Sequence, residues 1–410
     1  MTLKTIDLFA GVGGLTIGLL KARAAGRPLY DVRLMVDNDP EAAHTFRMNE
    51  VNVPQSPSGF RRYFVADIAQ LTPRAVLEQA RLRKGELDVL VGGPPCQGFS
   101  AAGKLAIDHS KNFLVKKLLE LAAQLKPKMI LMENVPALIK WNDGQFYNEV
   151  NRLLVDHGYE ARWDSLPATD FGVPQLRRRA ILAAIRGDLG LGGFQFPERE
   201  GPRLYVARST IPDDIENQID LAIAASRYLT VEDAIGDLPA LSAGETAKLY
   251  DKEPFTDYQK ARRGVSQFLF NHEARGHAKD LLDQKLRRIE PGGSNKDLPR
   301  SQRFEHDDKG EYYSQAYGRL HPKMIAQTIT TAFMNPGSGR FTHYRDVRSI
   351  TVREAARIQS FDDSFIFHGD LARQQRHVGN AVPPLMARGL GEYFGRLLAG
   401  DERVPLPAAR

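Results

Sequence analysis

Cysteine is nearly absent from this chain of 410 residues, which contains a single one, Cys96. One cysteine excludes an intramolecular disulfide and a zinc site built from several thiolates, so we expect a reducing cytoplasm. Long apolar runs are also missing, since no stretch of 18 residues is continuously apolar. The first seven residues lack the layout of a secretory leader. We therefore expect neither export nor a membrane span, and we expect no metal, because no cluster of cysteine and histidine exists to hold one.

The length and composition favour a globular protein of two domains, with 42% hydrophobic and 26% charged residues. Short apolar runs alternate with helical patterns up to residue 186, which predicts an α/β fold with a doubly wound, mostly parallel sheet and helices on both faces. Glycines and Pro197 then mark a linker. We predict a catalytic and cofactor-binding domain at 1–187, a smaller irregular domain at 188–350, and a connecting segment with a returning C-terminal helix at 351–410.

The predicted elements of the first and last parts of the chain follow from these patterns. Strands are predicted at 3–9, 32–36, 63–65, 87–91, 129–132 and 180–185, and helices at 15–24, 40–49, 112–125, 147–157, 352–361 and 385–398. Ligands of such sheets bind where the parallel strands end. The residues that follow each strand are therefore the candidates for function.

Cys96 lies in the run Gly92-Gly93-Pro94-Pro95-Cys96-Gln97-Gly98-Phe99-Ser100, directly after a predicted strand. Glycines and prolines end the strand and shape a stiff turn. A free cysteine can equally be an inert buried residue. A rigid loop with one thiol at a strand end favours the alternative, in which Cys96 is a nucleophile.

Three consecutive predicted strands end at acidic residues. The first is followed by the glycine-rich segment 7–14, where backbone amides can approach a ligand at the positive end of a helix. Asp37 can accept hydrogen bonds from ribose hydroxyls, and Asp67 can accept one from an adenine amino group. Each carboxylate alone could be a helix cap, but together they predict a nucleoside site. The glycine spacing is not Gly-x-Gly-x-x-Gly, which counts against NAD.

Two further groups follow or enter strands near this edge. Glu133 follows a buried strand and could share a pocket with Cys96 as a proton donor, or it could merely stand at a helix N-terminus before Pro136. Strand alternation predicts Arg177 and Arg179 on one face and Arg178 on the other. Two guanidinium groups at the pocket would suit an anionic partner or a polarised base oxygen, although basic clusters are often only solvated.

In chain order, these segments resemble the signature motifs of the cytosine-C5 DNA methyltransferases of the bacterial restriction–modification type. The matching residues are 7–14, 93–100, Glu133-Asn134-Val135, Gln175 with Arg177 and Arg179, and Gly379-Asn380-Ala381-Val382-Pro383-Pro384. The resemblance covers about residues 3–186 and 317–398. Two departures are visible: Asp37 stands where glutamate is usual, and Lys111 stands where arginine is common.

The resemblance implies S-adenosyl-L-methionine as cofactor and S-adenosyl-L-homocysteine as product. The residues predicted around the cofactor are Phe9, Gly11, Gly13, Gly14, Asp37, Asn38, Asp67, Ile68, Pro94, Leu114, Asn380 and Val382.

The resemblance also implies methyl transfer to C5 of cytosine. Cys96 is then the thiolate that adds to C6, Glu133 neutralises charge at N3, and Arg177, with Arg179 more distant, holds the base and Cys96. The cytosine must be flipped out of the duplex. We predict that Gln97, Gly98 and Ser100 contact DNA, within a lid at 97–111 that is mobile without DNA.

The middle of the chain, outside the resemblance, is expected to recognise the DNA sequence. It interleaves basic and aromatic residues that can contact phosphates and base edges, although many of them could be merely solvated. These residues are Arg300, Arg303, Lys309, Arg319, Lys323, Arg340, Arg345 and Arg348, with Phe304, Tyr312, Tyr313, Tyr317 and Tyr344.

We thus expect a monomeric enzyme that acts on double-stranded DNA at the nucleoid of a bacterial cytoplasm. A cognate restriction endonuclease would be a functional and not a physical partner. A tRNA cytosine-5 methyltransferase is the nearest alternative, disfavoured by the long insert after Arg179. A catalytically silent DNA-binding module is disfavoured by the presence of Cys96, Glu133 and Arg177. A nicotinamide oxidoreductase is disfavoured by the glycine spacing and by the prolines beside Cys96.

Overall fold

The computed structural model of the chain describes residues 2–95, 113–197, 228–278, 281, 286–303, 305–306, 310–311 and 315–400. Seven of its strands form one sheet: β1 (Leu3–Leu8), β2 (Tyr30–Asp37), β3 (Arg62–Val65), β4 (Val89–Gly92), β5 (Met129–Asn134), β6 (Tyr159–Pro167) and β7 (Arg178–Arg186). Their order across the sheet is β3-β2-β1-β4-β5-β7-β6. The first five strands are parallel, and β7 runs antiparallel to both of its neighbours. The predicted mostly parallel α/β sheet is therefore confirmed.

The helices lie between the strands and along the C-terminal part of the chain. They are α1 (Gly14–Lys21), α2 (Pro40–Met48), α3 (Pro73–Ala80), α4 (Phe113–Leu125), α5 (Ala137–Lys140), α6 (Gln145–Asp156), α7 (Val231–Ile235), α8 (Asp257–Arg263), α9 (Val352–Ile358), α10 (Leu371–Asn380) and α11 (Pro384–Leu398). Among the described residues, no helix has both the length and the apolar character that a membrane span requires.

Both faces of the sheet are buried, as the apolar runs of β4, β5 and β7 require. On one face, helices α3, α4 and α6 cover side chains such as Ile6 and Leu8. On the other face, α1 and α11 pack together over Val89 and Val91. The contact between these two helices is close, because a Cβ on Gly18 would lie 2.4 Å from the Cβ of Ala387. The C-terminal helix thus returns to the first strands.

A third apolar cluster joins the N-terminal part of the chain to residues beyond 230. Val12 and Phe46 belong to it, together with Val231, Ile350 and Val352. The predicted boundary at 350/351 therefore lies between two residues buried in one cluster. The division into domains stays a prediction.

Some strands and helices were not predicted, although their sequences contain recognisable features. Strand β6 carries Glu160, Arg162 and Asp164 at the edge of the sheet, so it lacks the apolar run of a central strand. Helix α3 begins at Pro73 behind a Thr72 side chain that accepts a hydrogen bond from Ala75, a recognisable start signal. Helix α10 is short of apolar residues, and the Asp370 side chain caps it.

Candidate active site

The carboxyl ends of β1 to β5 lie along one edge of the sheet. Strand β1 pairs with β2 on one side and with β4 on the other, so that Leu8 is opposite both Val36 and Gly92. Chain connections leave in opposite directions on the two sides of such a strand, and the loops there open a crevice. The turn after β1 therefore lies between the loop that begins at Asp37 and the loop that leads towards Cys96.

The turn after β1 is held in an unusual backbone conformation. Phe9, Gly11 and Gly13 have φ values of 61°, 52° and 85°. A Cβ on Gly13 would come within 2.5 Å of the Phe46 ring. Because Gly13 has no side chain, the Phe46 ring can pack against it, and the backbone of the turn stays accessible.

Asp37 holds this turn in place. Its Oδ2 accepts a hydrogen bond from the Gly11 amide at 2.8 Å, and its Oδ1 accepts one from the Asp39 amide at 2.9 Å. The Tyr63 hydroxyl donates to the Gly11 carbonyl at 2.6 Å. Burial raises the pKa of Asp37 above its ordinary value. A carboxylate has about four acceptor positions, so Asp37 can bind these amides and still receive a hydroxyl.

Asp7 lies beneath the same turn and is almost completely buried. Its Oδ2 accepts a hydrogen bond from the Thr16 hydroxyl at 2.6 Å, whereas its Oδ1 has no partner among the described residues. Burial raises the pKa of Asp7 to about 7, and the Thr16 hydrogen bond offsets part of that effect. Asp7 was predicted only as part of the strand-end segment 7–14 and not as a residue that contacts the cofactor. An acidic residue between the apolar Ile6 and Leu8, directly before the glycine-rich turn, was the signal that could have identified it.

Glu133 and Arg179 form an ion pair at the end of β5. The Nε atom of Arg179 lies 2.6 Å from Oε1 of Glu133, and both side chains are largely buried. A Cβ on Gly93 would lie 3.4 Å from Oε2 of the same carboxylate. The neighbouring Asn134 donates to the Pro94 carbonyl at 3.2 Å. The segment that leads to Cys96 is therefore attached to the strand that carries Glu133.

Arg177 makes different contacts from those expected. It lies between the two-residue strand Gln175–Leu176 and β7, so strand alternation does not extend to it. Its guanidinium group donates to the carbonyls of Ile329, Gly379 and Ala381 at 3.2–3.3 Å, and burial lowers its pKa well below the ordinary value. Our expectation that Arg177 is nearer to the base than Arg179 does not agree with these contacts. Arg179 is the arginine that reaches Glu133.

The segment around Asn380 is fixed against the glycine turn. Helix α10 ends at Asn380, and Gln359 donates to the Val378 carbonyl at 2.8 Å. A Cβ on Gly14 would lie only 2.2 Å from the Val382 carbonyl oxygen. Motifs from opposite ends of the chain are therefore in direct contact, as the predicted set of cofactor residues requires.

The remaining predicted residues have the following positions. Asp67 caps the short 3-10 helix Ile68–Gln70 by accepting a hydrogen bond from Ala69, and Ile68 is buried. Asn38 is exposed, and Leu114 is half-buried in the first turn of α4. Cys96, Gln97, Gly98, Ser100 and the lid at 97–111 lie outside the described residues.

Three arginines expected to contact DNA are internal. Arg319 and Arg340 are at least nine-tenths buried, and Arg348 is completely buried. Arg319 donates to the carbonyls of Ile289, His343 and Arg345, and Arg340 donates to Gln315 and to Gly292 and Gly293. Arg348 forms two hydrogen bonds of 2.8 Å with Glu354. The interpretation of these three residues as DNA contacts is therefore wrong, because their donors are used inside the protein.

The other basic residues of this set that the structure describes are at or near the surface. Arg300 is exposed, Lys323 pairs with Glu232, and Arg345 pairs with Asp346. The Tyr344 ring stacks on the His343 ring at a centroid distance of 4.4 Å. Lys309, Phe304, Tyr312 and Tyr313 lie outside the part of the chain that the structure describes.

Nearly the whole chain is similar to known proteins. The family model of C-5 cytosine-specific DNA methylases matches residues 3–396. The chain is 32% identical over 395 residues to the Type II methyltransferase M1.HphI of Haemophilus parahaemolyticus, covering 96% of this chain and 86% of the relative. It is 34% identical over 419 residues to the Type II methyltransferase M.XorII of Xanthomonas oryzae pv. oryzae, covering 98% and 86%.

A solved structure from Escherichia coli, described as a prophage-encoded DNA modification methyltransferase, superposes with a TM-score of 0.67. The two chains are 23% identical, and the match covers 97% of this chain and 100% of the other. At this identity the superposition supports the fold alone. The family model and the sequence relatives span nearly the whole chain, and the chain belongs to the C-5 cytosine-specific DNA methylase family.

Proposed function

We propose that this DNA cytosine-5 methyltransferase uses S-adenosyl-L-methionine to methylate a cytosine flipped out of a short double-stranded site. The proposed catalytic residues are Cys96, Glu133 and Arg179. Arg177 is proposed as a positioning residue for the Asn380 segment. The observation that carries the proposal is the ion pair of Glu133 and Arg179 beside Gly93, three residues before the proposed nucleophile.

The residues at the strand ends fit the proposed cofactor. The buried Oδ1 of Asp7 has no partner within the described part of the chain, and a cationic group near the glycine turn would satisfy it. Asp37 keeps acceptor positions for ribose hydroxyls. The residues proposed to hold the cofactor are Phe9, Gly11, Gly13, Gly14, Asp37, Asn38, Asp67, Ile68, Pro94, Leu114, Asn380 and Val382. When bound, the cofactor supplies a sulfonium-bound methyl group, which is the electrophile that C5 requires.

The protein's own residues activate the base. The Cys96 thiolate forms a bond from Sγ to C6 of cytosine, and the electron pair released makes C5 nucleophilic. Arg179 stabilises the negative charge that spreads over N3 and O2, and Glu133 holds the exocyclic amine. Glu133 also passes to N3 a proton that it takes from water as the base enters, and N3 gives this proton back when the thiolate leaves. After C5 is methylated, water takes the C5 proton and the thiolate leaves. Asn134 keeps the nucleophile's loop near Glu133 through its bond to Pro94.

Recognition of the DNA is proposed for residues 188–350, with catalysis at 1–187 and completion of the cofactor site by 351–410. The exposed Arg300 supports a DNA-facing surface in this region. Gln97, Gly98 and Ser100 are proposed to contact the flipped nucleotide, within a lid at 97–111. We propose action as a monomer at the nucleoid of a bacterial cytoplasm, in functional partnership with a cognate endonuclease. The Type II names of the relatives support that partnership.

Covalent trapping tests the proposal. The purified protein, S-adenosyl-L-methionine and duplex DNA containing 5-fluorocytosine should give an adduct that survives denaturation, because fluorine at C5 blocks release of Cys96. Cys96→Ser should give no adduct and lose nearly all turnover, while S-adenosyl-L-homocysteine still binds. An adduct with tRNA instead of duplex DNA would replace the proposed substrate. DNA binding without an adduct on either nucleic acid would indicate a silent DNA-binding module. Bisulfite sequencing of DNA from expressing cells identifies the methylated site.

A further inference from the structure

Two segments proposed to hold the cofactor come from distant parts of the chain and are joined by one contact. The loop after β2 carries Asp37, and the end of α10 carries Asn380. His377, one helical turn before Asn380, places its Nε2 atom 3.2 Å from Oδ2 of Asp39. This contact connects the loop after β2 directly to α10.

The two carboxylate oxygens of Asp39 make different contacts. Oδ1 accepts a hydrogen bond of 2.9 Å from the Glu41 amide and so caps helix α2. Oδ2 faces His377. A substitution at position 39 can therefore remove the contact with α10 and still keep the cap of helix α2.

Hydrogen bonds continue from Asp39 to the glycine turn. The Asp39 amide donates to Asp37, and the Gly11 amide donates to the other oxygen of the same carboxylate. The Gly11 carbonyl in turn accepts from Tyr63. A continuous chain of bonds thus connects α10 with the loop after β2 and with the glycine turn. A displacement of α10 would change the separation of all three segments.

Packing alone does not account for a histidine at position 377. The side chain is 7% exposed, and its Nδ1 atom has no partner among the described residues. Burial lowers the pKa of His377, so at neutral pH the ring is neutral and donates to Asp39 from Nε2. A leucine would fill a similar volume without a buried nitrogen that lacks a partner. The contact with Asp39 is what the histidine adds.

We propose that His377 is a positioning residue for the cofactor site, which holds the helix that ends at Asn380 against the loop that carries Asp37. This inference rests on the proposed cofactor. His377 itself need not touch the cofactor, because it acts through Asp39. The expected consequence of its loss is weaker cofactor binding with an unchanged chemical step.

The experiment compares His377→Leu with His377→Gln in the full-length protein. Glutamine can still donate a hydrogen bond to Asp39, whereas leucine cannot. Isothermal titration with S-adenosyl-L-homocysteine should give a Kd about tenfold higher for the leucine variant and within about twofold of the wild type for glutamine. The KM for S-adenosyl-L-methionine should rise in the leucine variant, with kcat at saturating cofactor retained.

Two further variants separate this role from helix capping. Asp39→Ser keeps an oxygen that can cap α2 but removes the one that faces His377. It should weaken cofactor binding as much as His377→Leu does, and the double variant should be no weaker than either single one. The control is His368→Leu, because the Nδ1 atom of His368 lies 3.3 Å from Glu41 in the first turn of the same helix α2, and its side chain is half-buried. It should leave the Kd unchanged.

The outcomes distinguish the inference from the function on which it rests. Wild-type protein that does not bind S-adenosyl-L-homocysteine would refute the proposed cofactor. Wild-type binding with an unchanged Kd for His377→Leu would refute the positioning role alone. Equal losses in the leucine and glutamine variants, with equally lowered melting temperatures, would show that His377 supports folding and not the cofactor site.

Discussion

The Nε atom of Arg179 lies 2.6 Å from the Oε1 atom of Glu133, across the antiparallel pair that β5 and β7 form. Both side chains are largely buried, so each satisfies the charge of the other in the absence of substrate. Two groups of opposite charge are thereby held where the proposed base would place its N3 and O2. This relationship makes Arg179 a better candidate than Arg177 for contact with the base.

Replacing Arg179 with lysine should reduce kcat/KM by a factor of about 10² to 10³, because a point charge replaces a guanidinium that can bind Glu133 and the base together. Initial methylation rates on a short duplex measure the effect. The matched control is Arg178→Lys, since Arg178 donates to the Ser165 carbonyl on the neighbouring strand. Equal losses for the two variants would contradict the assignment.

Replacing Arg177 with methionine should lower the free energy of unfolding by about 2–4 kcal/mol. The carbonyls of Ile329, Gly379 and Ala381 would lose a buried donor. Urea denaturation followed by circular dichroism measures this change. If Arg177 instead acted mainly on the base, the variant would keep its stability and lose kcat.

Asp7 should make stability and cofactor binding depend on pH. Its folded-state pKa of about 7 lies above the ordinary value of 3.8, so the folded protein holds this proton more tightly than the unfolded chain. Its contribution to stability therefore falls as pH rises from about 4 to 7. The free energy of unfolding of wild type minus that of Asp7→Asn should decrease over this range and then level off. Denaturant titrations at several pH values measure the difference.

The same ionisation should strengthen binding of S-adenosyl-L-homocysteine, whose ammonium group is cationic. The affinity of the wild type should rise between pH 6 and pH 8, because ionised Asp7 attracts that group. Asp7→Asn should bind more weakly and with little change across this interval. A parallel rise in both proteins would assign the pH dependence to another group.

Replacing Gly14 with alanine should disturb the packing of the glycine turn against the segment after Asn380. The alanine Cβ would lie 2.2 Å from the Val382 carbonyl oxygen, so the segment after Asn380 must move. We expect a stability loss of about 1–3 kcal/mol and weaker cofactor binding. Gly276→Ala is the control, since a Cβ added there would meet no atom of the described residues within 4 Å, and both properties should stay near wild type.

The sequence was sufficient for the central strands because their buried faces demand apolar runs. The strand-end residues were proposed because their motifs resemble a known family, and their roles stay predictions. The different contacts of Arg177 and Arg179 were not predictable, since they depend on where β7 begins and on the carbonyls of a segment about 200 residues away. The burial of Arg348 was equally unpredictable from the sequence. Only the folded position of Glu354 reveals that an arginine in a basic, aromatic-rich region is internal.

Helix α11 also has a consequence for synthesis. It covers the face of the sheet on which Tyr30, near the start of β2, donates to the Gly391 carbonyl at 2.8 Å. Strands β1 and β2 are therefore covered by a helix that is translated well after them. A nascent chain that has not yet released α11 still exposes apolar surface on α1. It also lacks the segment from Asn380 to Val382, so the proposed cofactor site is incomplete until that segment has been translated.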